Sequence, residues 1–211
     1  MSEHLYWTKE EARNFLFLRQ GLMGEKRYIG KEGVMKFIHS VGCIQFDPID
    51  VCGKNPELVL QSRVEGFKKE MLYELLYEER RLLDHFDKSL AIYPTEFWPC
   101  FQRVRDEFRE RALKREETND IAAEVMEIIR RKGFVSSSDI GYKDTIVGDW
   151  GNKSKLARAV LEVLYYQGDT MIHHKRGTRK FKPSPKVCLR IRIFIKKIRL
   201  RMTTTSRNGG F

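Results

Sequence analysis

The feature that most limits what this chain can fold into is a recurring alternation of helix-spaced apolar residues with glycine stops. Gly21, Gly42, Gly133 and Gly168 each follow a stretch with helical periodicity, and glycine ends helices because it enters the left-handed region without steric cost. Thr8-Lys-Glu-Glu11 has capping-box spacing, and Ala12, Phe15, Leu16 and Leu18 follow it, which predicts a helix over about 8–20. Val34, Phe37, Ile38 and Val41 predict a second over about 31–41. Residues 57–64 are apolar and either helical or extended, and Phe67 to Leu82 supports a helix over about 67–83. Pro94 and Pro99 flank an aromatic turn with Phe97 and Trp98, both expected in the core. A charged helix then runs to about Glu117, and its mixed-sign spacing (Arg105, Glu107, Arg109, Arg111) predicts a solvated face.

The second half has a distinct cadence. Thr118 to Lys132 reads as one helix, Ser136 to Ile140 as the start of a short one, and Asn152 as the cap of a third carrying Leu156, Val160, Leu161 and Leu164. Strands at about 170–174 and 178–182 then enclose a turn at Lys175-Arg-Gly177. Helix, short helix, helix and hairpin is the order of a winged helix-turn-helix. The fold class expected is therefore mainly α with short β-hairpins.

Composition excludes several classes. With 211 residues, 41% hydrophobic, 33% charged and 11% aromatic, the chain can bury a core and is not disordered. No apolar run approaches the ~20 residues of a membrane span, and the polar start lacks a secretory pattern. Cys43, Cys52, Cys100 and Cys188 are scattered, and His4, His39, His85, His173 and His174 form no metal-binding spacing. No metal site or cofactor is expected, and a reducing cytoplasm is the expected location. The net charge of +11 is unevenly distributed: residues 170–211 hold 13 of the 40 Lys and Arg and no acid, leaving 27 basic against 29 acidic residues before them. The main body is thus nearly neutral, and bulk charge says little about what it binds.

Cys43-Ile-Gln-Phe-Asp47 reads as a short strand interrupted by Pro48. Side chains alternate along a strand, so Gln45 and Asp47 share one face while Ile44 and Phe46 point inward. A carboxylate beside an amide suits N-glycosidic hydrolysis. The carboxylate stabilises an oxocarbenium-like transition state and accepts a proton from water, which the amide can hold in line. The competing reading is plain: Asp-Pro commonly marks a turn whose carboxylate caps local amides.

The segment from Val41 to Val64 resembles the signature of the AlkZ/YcaQ group of winged-helix DNA glycosylases, in which a strand carries a catalytic Gln-x-Asp or Gln-x-Gln. Gln45 and Asp47 occupy those positions. Leu76 to Arg80, Ile92 to Pro99, Trp150-Gly-Asn152 and Gly177 to Lys180 extend the resemblance over about residues 5–182. It implies tandem winged helices: 1–116 as a first unit with the catalytic strand and a helical extension, and 117–182 as a second. It also implies a cytoplasmic, nucleoid-associated monomer that excises alkylated purines from double-stranded DNA and unhooks interstrand crosslinks. Two departures stand out. Members often carry paired histidines where this chain has Pro56 and Glu57, and the family is about twice this long.

Arg63 is a candidate phosphate contact, as is Arg80, each with a helix-surface ion pair as the alternative. Lys153, Lys155 and Arg158 are expected on the recognition helix, and Lys175, Arg176, Arg179 and Lys180 on the wing. His173 and His174, adjacent on a strand, should face opposite ways. The basic tail 183–211, rich in Ile and Arg, is read as a frame-shifted or disordered segment, or else as a phosphate-binding strand or helix. Two rival functions remain: a winged-helix regulator without chemistry, and a truncated, inactive glycosylase fragment.

Overall fold

The structure, a computed structural model, describes residues 6–47, 49–86, 89–113, 116–142, 144–147, 153–176 and 179–183. Its first helix, α1 (Lys9–Arg19), starts at the capping box: the Thr8 hydroxyl accepts from the Glu11 N–H at 3.2 Å, and the Glu11 carboxylate accepts from the Thr8 N–H at 2.8 Å. None of its residues is buried, so Phe15, Leu16 and Leu18 lie on the surface instead of facing a core. Next come β1 (Tyr28–Ile29) and α2 (Gly30–Val41), which buries Val34, Met35, Phe37 and Ile38. Gly42, at φ 82°, stops α2 and turns the chain into β2 (Ile44–Gln45). α3 (Asn55–Arg63) leads into β3 (Val64–Glu65), which pairs in parallel with β1.

α4 (Lys69–Tyr73) continues as a π-helical turn, Glu74–Glu78. The helix expected to reach residue 83 stops there. Leu82 instead opens a hairpin, β4 (Leu82–Phe86) and β5 (Leu90–Pro94), which the periodicity concealed. Leu75, Leu76 and Leu82 are all fully buried, and two-sided burial erases the difference between helical and strand spacing. β5 is the centre of a three-stranded sheet of order β2-β5-β4. A 3-10 turn (Thr95–Phe101) leads to α5 (Gln102–Leu113) and α6 (Glu116–Lys132).

The second half departs from expectation in three places. Ser136 to Ile140 is a turn and not a short helix. The Asp139 carboxylate accepts from both the Ser136 N–H and the Ser136 hydroxyl, each at 2.7 Å. This local bond offers the backbone an alternative to helical pairing. Lys153 and Lys155 do not lie on a recognition helix. They are the ends of β8 (Lys153–Lys155), which forms a hairpin with β7 (Thr145–Val147), and α7 (Leu156–Tyr166) starts only after it. The alternating exposure of Lys153, Ser154 and Lys155 is strand spacing, masked in the sequence by the apolar run that follows. The final hairpin is β9 (His174–Arg176) with β10 (Arg179–Pro183), and β10 also pairs with β6 (Phe134–Val135), giving the order β6-β10-β9. The strand expected over 170–174 thus begins only at His174. Pro48, the Trp150-Gly-Asn152 segment with its expected cap, the turn at Gly177 and the tail from residue 184 onward lie outside the described residues.

Among the described residues the core falls into three clusters. One gathers α2, α3, α4 and the sheet around Ile38, Leu60, Leu72 and Ile92; one lies between α6 and α7 around Val125, Ile129 and Val160. The third joins them, with Leu83, Tyr93 and Trp98 against Met171. Arg105, expected on a solvated face, is only 2% exposed. Its guanidinium lies 4.0 Å from the Trp98 ring centroid and donates to the Trp98 carbonyl at 2.8 Å. Charge spacing along α5 could not reveal a partner from a different element.

Arg80 makes the second connection. It has a positive φ of 56°, an uncommon backbone for a residue with a Cβ. Its guanidinium donates at 2.8 Å to the carbonyls of both Ile172 and His173. Arg80→Ala should therefore lower stability by about 1–3 kcal/mol, the cost of stranding two partly buried carbonyls. Urea unfolding checks this, and an unchanged midpoint would show that the two bonds contribute nothing. His173 and His174 do not face opposite ways: their Nδ1 atoms are 2.7 Å apart. His173 precedes the strand, so alternation does not govern it. Burial, Arg80 and His174 together hold its pKa below the ordinary histidine value.

Candidate active site and nucleic-acid interface

β2 is only two residues long, but its position is tightly set. Ile44 pairs with Ile92 and Gln45 with Ala91, and the Phe46 N–H continues the ladder to the Leu90 carbonyl at 2.8 Å. Ile44 and Phe46 are buried, Gln45 is exposed and Asp47 half-buried. The alternation expected from the sequence is the one observed, and it follows from seating two large apolar side chains in the core.

Asp47 takes the turn role that Asp-Pro allows without being used up by it. One oxygen, Oδ1, accepts the Ile49 N–H at 2.9 Å, which is the local turn. The other oxygen has no hydrogen-bond partner among the described residues, and neither does the Gln45 amide. The turn therefore fixes the carboxylate and leaves half of it available. Gln45 contributes to the framework through its backbone, whose carbonyl accepts from Asn55 Nδ2 at 3.0 Å.

Asn55 is a residue that sequence reasoning missed. It opens α3 beside Pro56, and Asn-Pro at a helix start was the available signal. A polar cluster beside it was missed as well. Lys54 Nζ donates to the Tyr73 hydroxyl at 3.0 Å, and that hydroxyl donates to Glu57 through a short hydrogen bond. Burial, reinforced by Glu57, raises the Tyr73 pKa well above the ordinary phenol value, so Tyr73 stays neutral and can donate. Glu57 is thus engaged by Tyr73.

The candidate DNA contacts fall in separate places. Arg63 ends α3, about 12 Å along the helix axis from Asn55. Its guanidinium donates to the Gln20 carbonyl and the Val59 carbonyl, both at 3.1 Å, and to Ser62 Oγ at 2.6 Å. Burial lowers its pKa from the usual arginine value. Lys153 and Lys155 are exposed on β8, and Arg158 on α7 pairs with Glu162 at 2.9 Å. Lys175 and Arg176 lie on β9, and Arg179 and Lys180 on β10.

A small hollow in the fold lies elsewhere, lined by Tyr77, Arg80, Asp84 and Ile172, and leaves no room even for a water molecule. Gln45 and Asp47 are not among its lining residues; Gln45 is exposed and Asp47 half-buried. Among the described residues no group of three or more His, Cys, Asp or Glu could hold a metal ion, and no helix is long and apolar enough to cross a membrane.

Gln45 on β2 and Asp47 just after it thus place an amide and a turn-held carboxylate two residues apart on a mainly helical chain. The family model described as "DNA glycosylase AlkZ-like" matches residues 38–196, and the chain belongs to this family. The match includes both Gln45 and Asp47; it starts at residue 38, where the resemblance was expected from about residue 5, and continues beyond residue 182, its expected end. Comparison with curated proteins and with solved structures gave no match.

Proposed function

We propose that this protein hydrolyses the N-glycosidic bond of alkylated purines in double-stranded DNA. The observation that carries the reading is the pair at the end of β2: an exposed Gln45 and, two residues on in the turn, a half-buried Asp47 with one oxygen uncommitted among the described residues. Alkylation at N7 makes the purine cationic and a good leaving group. The carboxylate then stabilises the developing positive charge on the sugar and takes a proton from water, while the amide orients that water. Hydrolysing either glycosidic bond of an N7-linked guanine crosslink would unhook it by the same chemistry.

Two winged helices presenting the DNA would complete this reading. α6, β6, α7 and the hairpin β9–β10 occur in that order, with β7 and β8 between β6 and α7, and the sheet order β6-β10-β9 supports reading that hairpin as a wing. The turn at Ser136–Ile140 replaces a short helix, and β7–β8 is an addition. The wing register pairs Arg176 with Arg179 and Lys175 with Lys180. Four cationic residues on one short hairpin suit the regular negative charge of a phosphate backbone.

Release of free 7-methylguanine from an N7-methylated duplex, resolved by chromatography, tests the function. Binding without release would favour the regulator. Replacing Lys175, Arg176, Arg179 and Lys180 with alanine should reduce the slope of log affinity against log salt by roughly 2–4, close to 0.9 for each phosphate no longer neutralised. A slope unchanged within error would remove the wing from the interface.

A further inference from the structure

We infer that the loop after β2 is an apolar wedge, with Ile49 and Val51 entering the DNA base stack beside the lesion addressed by Asp47. This rests on the glycosylase reading above. Ile49 is 66% exposed and Val51 89% exposed, although both are β-branched aliphatics of the kind normally buried.

The exposure belongs to a pinned loop. Asn55 Nδ2 ties its far end to the Gln45 carbonyl at 3.0 Å, and Asp50 and Lys54 form an antiparallel bridge inside it. Lys54 is in turn anchored on Tyr73 at 3.0 Å, and the Ile49 N–H is held by Asp47. The backbone therefore presents both aliphatics outward, and their stiff χ1 leaves little side-chain freedom to lose on insertion.

Reach matches the substrate. Two residues span at most about 7 Å, so Ile49 lies within about two base-pair steps of whatever sugar Asp47 contacts. Two isolated aliphatics offer far less than the ~800 Å² per side of a stable protein interface. They suit the narrow gap between base pairs, where apolar wedges unstack a step and kink the duplex. Wedging would also hold the sugar against the carboxylate, joining recognition to chemistry through the Asp47–Ile49 hydrogen bond.

A duplex containing a tetrahydrofuran abasic-site analogue next to 2-aminopurine tests this, because unstacking raises the fluorescence of that base without any base release. The full chain should raise it. Ile49→Ser/Val51→Ser should abolish the rise and weaken binding to this duplex about 10- to 100-fold, with undamaged-duplex affinity and thermal unfolding unchanged. Ile49→Leu/Val51→Ile should keep the rise. A serine variant that unstacks the base as the wild type does, or a wild type that leaves it stacked, overturns the wedge. Release of 7-methylguanine, assayed separately, decides the glycosylase reading independently, so the two failures are distinguishable.

Discussion

Asp47→Asn should lower single-turnover release of 7-methylguanine by about 10²- to 10⁴-fold, or roughly 3–5 kcal/mol of barrier. The substitution is nearly isosteric. Asn keeps an oxygen to accept the Ile49 N–H, which lies 2.9 Å from Oδ1 in the native chain, so the turn survives. What disappears is the negative charge and the second acceptor, the two properties an oxocarbenium-like transition state and an attacking water require. Affinity for the alkylated duplex should stay within a few-fold, since phosphate contacts dominate binding. Gln45→Ala should cost less, because water can still approach the carboxylate without its guide. Should Asp47→Asn release base within about threefold of wild type, the chemistry would have to be assigned to other residues.

Gly168→Ala should lower the melting temperature by roughly 5–15 °C, through about 2–5 kcal/mol. Gly168 follows the end of α7 with a φ of +78°, a conformation that opposes any side chain. Space is lacking as well: an added Cβ would stand 2.5 Å from Arg105 Cδ and 2.9 Å from Trp98 Cζ2. Neither neighbour is free to move. Arg105 is held by the Trp98 carbonyl and by Gln102 Oε1, both at 2.8 Å, and Trp98 packs edge-on against His85 at 4.9 Å. His85 in turn donates to the Tyr165 carbonyl at 2.6 Å. The stack joins the sheet to α5 and α7, so strain at Gly168 reaches all three. Differential scanning calorimetry gives the answer, and a melting temperature within about 2 °C of wild type would mean that the stack yields easily. In a Trp98→Phe background the cost of the alanine should shrink, as expected for neighbours that share one space.

Helix ends that carry local chemistry, such as the Thr8–Glu11 box and the stop at Gly42, were legible in the residues alone, because capping involves groups only a few positions apart. So was the facing of Gln45 and Asp47, since a two-residue alternation suffices once Ile44 and Phe46 must be buried. The segments that became β4–β5 and β7–β8 were not legible. Strand pairing depends on partners distant in the chain, and full burial or a following helix hides the alternation. Long-range packing likewise took Arg105 from an apparent charged face into the core and gave Arg80 its two carbonyls. Arg105 finds its acceptors nearby, at Trp98 and Gln102, but the distant Gly168 packs against it, and the Arg80 acceptors lie more than 90 residues away.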